Sequence, residues 1–357
     1  MTEFLVIGGG IAGLSAGARL SEFGRVTVLE RERALGHHAS GRSAALFEQN
    51  YGKPSTVALN TASRAFHEDA GVLSPRGIML VAAAADEARF EADCAAMDLP
   101  EIDLDRAREL LPILNPDHVT RAAHDADAWD IDTHGLLSLF ASQIQRAGGQ
   151  VLTQGEVTGV NRTRKGWELR TAKHGVLGGA VLVNAAGAWV DEIARMAGIA
   201  PLGFTPLRRS MARIAAPEGA EVGAWPMVFG AGEDWYMKPD AGALIVSPAE
   251  EDPSDPMDAW ADDMVLAEGL ARYEAHVTAP VERMLANWAG LRTFAPDREL
   301  VLGPDPTDPA FVWCAGQGGY GFQSAPAASA FLADAVAGRA PAIGEEVAAR
   351  LRPDRFR

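Results

Sequence analysis

Short apolar runs stopped by glycine recur along this chain. Phe4-Leu5-Val6-Ile7 ends at Gly8-Gly9-Gly10, the pattern of a strand buried on both faces of a parallel sheet. Leu14 and Ala18, with Ala16, Leu20 and Phe23, then recur at helical spacing as far as Gly24, a suitable helix stop. Arg25-Val26-Thr27-Val28-Leu29-Glu30 reads as the next strand, so the chain opens as a βαβ unit. Two later runs repeat the strand-then-glycine signature. They are Val181-Leu182-Val183-Asn184-Ala185-Ala186-Gly187 and Phe311-Val312-Trp313-Cys314-Ala315-Gly316, the second leading to an alanine-rich helix over 325–336.

Between these runs the character changes. Residues 60–110 are rich in Ala, Glu, Asp and Arg and predict surface helices around one short strand, Ile78-Met79-Leu80-Val81. A helix is expected over 136–146, capped near Asp132 or Thr133 and ended by Gly148-Gly149. Strands are expected at 151–152, 157–160 and 167–171. Residues 200–300 are rich in proline and tryptophan and read as β-rich, with one helix near 260–276; residues 350–357 read as a solvated end. The expectation is one α/β domain, discontinuous in sequence (1–45, 132–198 and 296–357), and an inserted β-rich α+β domain (46–131 and 199–295) that holds the substrate.

Composition narrows the function. At 357 residues the chain is long enough for two cores. A net charge of −16 repels nucleic acid and anionic lipid. The two cysteines, Cys94 and Cys314, make no disulfide framework, and the eight histidines show no spaced ligand pair, so no metal is expected. Met1-Thr2-Glu3 has no basic character and glycines break the apolar run after it, so neither a signal peptide nor a transmembrane helix is expected. A cytoplasmic protein is the expectation.

The chemistry begins at Gly8-Gly9-Gly10-Ile11-Ala12-Gly13, a G-x-G-x-x-G turn between strand and helix. Gly8 permits the tight turn, Gly10 lets the backbone approach a pyrophosphate, and Gly13 lets the helix pack on the strand. The helix N-terminus then offers free N–H groups to the phosphates. Glu30, 17 residues after Gly13, can accept from ribose hydroxyls and would repel a 2′-phosphate. These residues point to a dinucleotide other than NADP and leave NAD and FAD both open.

Seven further segments, in order, decide between them: Gly41-Arg42-Ser43-Ala44-Ala45 with Tyr51-Gly52; Leu182 to Trp189; Arg208-Arg209-Ser210; Trp225-Pro226-Met227; Tyr236 to Gly242; Trp288 to Arg292; and Gln317 to Gln323. With them the chain resembles the D-amino-acid oxidase family of FAD-dependent enzymes, which includes glycine and sarcosine oxidases. Within it the chain looks most like the bacterial D-arginine dehydrogenases. The resemblance covers nearly the whole chain and implies a Rossmann-type FAD-binding domain.

It also implies roles. Arg42, Ser43 and Ala44 would line the pyrophosphate and ribityl portion, Val157 would meet the adenine, and Gly187 would sit near the phosphates. Ile11, Ala12, Arg31, Gly41, Ala45, Ala186, Trp189 and Arg292 would complete the FAD contacts. Gly318, Gly319, Tyr320, Gly321, Phe322 and Gln323 would open the last helix, whose N-terminus can stabilise negative charge on the flavin. Arg292 would bind the substrate carboxylate, joined by Arg209, Tyr236 and Tyr51, with the Gly319 carbonyl accepting from the substrate amine. Leu46, Glu48, Ile78, Met227 and Phe229 would form the pocket.

Three positions depart from the D-arginine enzymes, which have a histidine at Leu46, a threonine at Glu48 and a guanidinium-binding glutamate at Ile78. A neutral substrate side chain is therefore expected. Glu48 either supplies a charge to the pocket or faces solvent, and solvent is favoured because unpaired glutamates are rarely buried. Phe294 stands where sarcosine-type enzymes attach flavin through cysteine, so FAD is expected to be non-covalent. Those enzymes also use a lysine to promote reaction with O₂. The comparable strand, Ala243-Leu244-Ile245-Val246, has none, so a quinone or an electron-transfer protein is expected to take the electrons. An O₂-using amine oxidase, an FAD enzyme acting on a hydroxy acid or glycerol phosphate, and a flavin-binding module without catalysis are the competing readings.

Overall fold

The computed structural model describes residues 2–357. Six strands form one sheet, in the order Val301–Pro304, Phe311–Ala315, Val181–Asn184, Thr2–Ile7 (β1), Gly24–Leu29 (β2) and Gln150–Leu152. All neighbours are parallel except the 301–304 strand, which runs antiparallel to 311–315. Alternation along each strand divides the apolar residues between the two faces. Phe4, Val6, Val26, Val28, Val183 and Val312 face a core built with the helix Ile11–Leu20 (α1) and the helices Thr133–Arg146 and Gly321–Ala337. Leu5, Ile7, Leu182, Phe311 and Trp313 face the other way, onto Trp167 and Leu169 of a three-stranded antiparallel sheet over 157–179. Both faces are covered, as the unbroken apolar runs require.

A nine-stranded sheet makes the second unit. Its strands lie within residues 78–125, 205–253 and 284–294. Nearly all its pairings are antiparallel; Met227–Gly230 runs parallel to Ile78–Ala83. One face carries Met79, Val81, Val228, Met237, Leu244 and Val246 under the helix Asp263–His276. The opposite face carries Ile78, Leu80, Phe229, Tyr236 and Ile245, with Leu46 and Tyr51 packed on them.

Three expectations need correction. The helix expected near 260 starts at Asp263, because Asp262 caps it by accepting from Met264 N (3.0 Å) and Val265 N (3.1 Å). The segment expected to open the substrate domain at residue 46 does not pack there as a whole. The helix Pro54–Asp69 (α2) lies on the 321–337 helix; Leu59 and Val72 belong to the first core, and Ser63 Oγ accepts from Ala327 N at 3.0 Å. Residues 350–357 are not a free tail: Leu351 is fully buried and Arg355 holds Asp297 at 2.7 Å.

Candidate active site

A cleft of about 520 Å³ runs across the carboxyl ends of β1 and β2. Gly8 has φ +115°, and a Cβ there would overlap the Ala185 carbonyl; a Cβ at Gly13 would overlap the Gly8 carbonyl. The turn and the close approach of helix to strand both require glycine. Gly10, Ile11 and Ala12 line the cleft at the N-terminus of α1. Ser40, which the sequence did not single out, stands against this turn with its Oγ accepting from Ile11 N at 3.1 Å.

Glu30 closes one end of the cleft. Its carboxylate accepts from Gly9 N and Glu32 N, both at 2.9 Å. Burial raises its pKa, against the pull of those two N–H groups. Arg31, Val157, Ala186, Gly187 and Trp189 line the same region, with the Arg31 guanidinium 4.8 Å from the Trp189 ring. Ser43, Gly318, Gly321 and Phe322 line the cleft farther along.

Several residues expected to touch FAD also make contacts within the protein. The Arg42 guanidinium donates to the carbonyls of Ala259 (2.8 Å) and Ala289 (2.7 Å) and pairs with Asp258. Arg42 lines the cleft, and these contacts pin the cleft wall to the edge strand Met284–Phe294. Gly41 is a turn residue, with its N–H on the carbonyls of Gly36 and His38. The carbonyls of Ala44 and Ala45 accept from Lys238 Nζ at 3.1 and 2.9 Å. Tyr320 faces a second cavity, its ring 5.2 Å from that of Tyr51. Gln323 is buried, with Oε1 accepting from Glu48 N (3.2 Å) and Nε2 donating to Tyr51 O (3.4 Å).

The cleft meets that second cavity, of about 310 Å³, at Arg209, Arg292 and Gly319. Tyr236, Tyr51, Glu233 and Tyr320 favour the charged form of Arg292 through space, against its burial, and Arg209 stands close enough to repel it. Its guanidinium lies against Gly319, where a Cβ would come 3.1 Å from Nη1. Arg209 is only 5% exposed; its Nε donates to Glu250 O at 2.9 Å and its Nη2 lies 3.4 Å from Glu251 Oε1. Tyr51 donates to Glu233 Oε2 at 2.9 Å. Burial, reinforced by Glu233, raises the Tyr51 phenol well above its usual range, so it stays protonated and a donor. The Tyr236 hydroxyl points to Met211 Sδ at 3.2 Å.

Ile78 and Met227 are register partners, and with Leu46, Phe229, Tyr51 and Tyr236 they form one apolar cluster. Glu48 does not face solvent. It is 3% exposed, because Asn50 N donates to its carboxylate at 2.7 Å and Gln323 accepts from its N–H. Burial first, with Asp125 and Asp127 adding to it, outweighs the Asn50 N–H and Arg64 and pushes its pKa to about 7. Lys238 was missed. It is 9% exposed and pairs with Asp130 at 2.7 Å, and a lysine inside an apolar strand was the available signal. Glu251 was missed too, since Glu250-Glu251-Asp252 reads as an ordinary acidic run.

Residues 3–335 match the family model of FAD dependent oxidoreductases, DAO. L-2-hydroxyglutarate dehydrogenase of Escherichia coli is 27% identical over 241 residues, covering 62% of this chain; the match spans about half of that relative, 56%. Sarcosine oxidase subunit beta of Rhizobium meliloti is 25% identical over 391 residues, covering 99% of this chain and 88% of the relative. Among solved structures, glycine oxidase from Geobacillus kaustophilus matches with a TM-score of 0.80 over 96% of each chain at 21% identity, a likeness of fold. Among the described residues no helix is long and apolar enough to cross a membrane. The glycine cradle, the N-terminus of α1 at the cleft and Glu30 at the cleft end fit the pyrophosphate and ribose of FAD. The chain belongs to the DAO family of FAD-dependent oxidoreductases, and FAD is its cofactor.

Proposed function

We propose that this protein is a dehydrogenase that oxidises a small neutral D-amino acid at Cα, yielding the imino acid, which water converts to the 2-oxo acid. The reading rests on one observation: the Arg292 guanidinium stands at the junction of the two cavities, and among the described residues no carboxylate lies within 4.0 Å of it. FAD supplies the hydride acceptor.

The chain's own groups supply the rest. Arg292 binds the substrate carboxylate through two parallel hydrogen bonds, which a planar guanidinium forms and an ammonium does not. Arg209 adds a second positive charge, and the protonated Tyr51 a hydroxyl donor once its O–H turns from Glu233 to the substrate. The Gly319 carbonyl accepts from the substrate amine and orients it. Leu46, Ile78, Met227 and Phe229 line neither cavity; they form the apolar cluster packed behind Tyr51, which we propose as the backing of the side-chain end of the site. A guanidinium or ammonium pressed against Ile78 would lose water without gaining a partner, at a cost of several kcal/mol. We propose a quinone or an electron-transfer protein as the oxidant that regenerates FAD, since the Ala243–Ser247 strand carries no lysine.

The test is anaerobic mixing of the yellow holoprotein with D-leucine, D-methionine, D-phenylalanine, D-arginine, D-lysine, sarcosine and 2-hydroxy acids. Bleaching is expected to be fastest with the neutral D-amino acids, with kcat/KM well above that for D-arginine. A 2-hydroxy acid presents the same carboxylate to Arg292, and one relative is named for such a substrate. Bleaching by hydroxy acids alone would replace the amine reading with that one.

A further inference from the structure

The second cavity has a charge balance that bears on which substrates can enter. Arg209, Arg292 and Arg298 face it, and so do Asp93, Glu233 and Glu251. The six charges are not paired one to one. Glu251 Oε1 lies 2.8 Å from Arg298 Nη2 and 3.4 Å from Arg209 Nη2, so one carboxylate serves two guanidinium groups. Glu233 accepts from the Tyr51 hydroxyl, and Asp93 accepts from Gly232 N at 2.6 Å. No ion pair within 4.0 Å joins Arg292 to a carboxylate among the described residues.

We infer that Glu251 is a specificity residue that limits the site to substrates with a single carboxylate. The inference rests on the reading that Arg292 clamps that carboxylate. A second carboxylate, extended from Arg292 into the cavity, needs a cation of its own. The three guanidinium groups facing the cavity are already matched in number by Asp93, Glu233 and Glu251, and Glu251 lies against both Arg209 and Arg298. The incoming group would instead meet Glu233 and Glu251 as like charges. Aspartate, glutamate and other dicarboxylates are thereby excluded, whereas a zwitterion with one carboxylate adds no net charge.

The arrangement differs from an ordinary surface ion pair, which contributes little either way. Arg209 is almost fully buried, and its Nε is fixed by the Glu250 carbonyl independently of Glu251. It therefore keeps its place when the Glu251 charge is removed. Glu251 itself is 37% exposed, so its replacement leaves the core intact.

The experiment titrates the FAD-bound protein with propionate and with succinate, which differ by one carboxylate, following flavin absorbance and heat of binding. Wild type is expected to bind propionate at least tenfold more tightly than succinate. Glu251→Gln should shift the ratio of the two dissociation constants at least tenfold toward succinate, with FAD content and melting temperature unchanged. Glu251→Asp, which restores the charge, should return the ratio toward wild type. Equal binding of the two acids by wild type, or a ratio unmoved by Glu251→Gln, overturns the assignment. Arg292→Met separates this from the underlying reading: loss of propionate binding supports the clamp, and unaltered propionate binding removes the clamp whatever Glu251 does.

Discussion

Replacing Arg292 with methionine removes the guanidinium and keeps an apolar stem of similar width. In the proposed complex the substrate carboxylate is then left beside Arg209, whose charge is already shared with Glu251. Truncating one partner of a desolvated charge pair typically costs about 3–5 kcal/mol. At about 1.36 kcal/mol per tenfold, that is roughly 150- to 5,000-fold in kcat/KM. Arg209 retains part of the attraction, which places the expectation in the lower half, about 150- to 900-fold. Arg292→Lys should recover only part of the loss, because an ammonium keeps the charge and not the fork. The assay is stopped-flow flavin reduction by the best substrate, with FAD content measured on the same samples. FAD should remain bound, since Glu30 and the glycine turn lie at the other end of the cleft. Turnover within a few-fold of wild type at full FAD occupancy would refute the carboxylate-clamp reading.

The remaining predictions concern the cofactor, the turn beside Arg292 and Glu48. Glu30→Ala should weaken FAD retention on gel filtration without altering the order of substrate preference; a reordered profile at full occupancy contradicts it. Acid precipitation should release all the yellow colour, because Phe294 cannot form a thioether, and colour left in the pellet would show a covalent bond. Gly319→Ala should lower turnover by pushing a methyl to about 3 Å from Arg292 Nη1, and an unchanged rate would show that the guanidinium has room to move. Glu48 has its pKa raised from 4.5 to about 7, so the folded chain holds a proton that the unfolded chain releases between those values. Stability should therefore fall as pH rises through that window, by up to about 3 kcal/mol. Glu48→Gln should remove the loss, and urea melts showing the same wild-type-to-variant difference at pH 4.5 and pH 8 would refute it.

Features that depend on neighbours in sequence were legible in the chain. The G-x-G-x-x-G turn, the apolar strands and Glu30 each follow from a few adjacent residues, and the family match covers them. Side-chain direction was not legible. Arg42 adjoins a cofactor motif, yet its guanidinium is drawn to Ala259 and Ala289, 217 and 247 positions away. Glu48 reads as a surface glutamate until Gln323, 275 positions on, is seen to accept from its N–H. A resemblance carries residue identity into place, but which way an arginine turns is set by carbonyls and carboxylates that only the fold brings near. Lys238 and Glu251 escaped for the same reason, since their partners are distant or ordinary in sequence.

The order of strands in the first sheet has a consequence for synthesis. The central strand β1 pairs with residues 181–184, Phe4 opposite Val181, and that strand pairs in turn with 311–315, Leu182 opposite Phe311. Residues as far as 315 must therefore leave the ribosome before this sheet is complete. Gly318, Gly321 and Phe322, which line the cleft, emerge later still. Until then the glycine turn at residues 8–13 has no opposite wall, and β1 has β2 on one side and an open edge on the other until residues 181–184 arrive. Such long-range pairings close slowly and leave strand edges exposed meanwhile. Cofactor capture is therefore expected only after residues 311–322 have emerged. Growth conditions that supply riboflavin and slow translation should raise the soluble, yellow fraction more than they raise total protein.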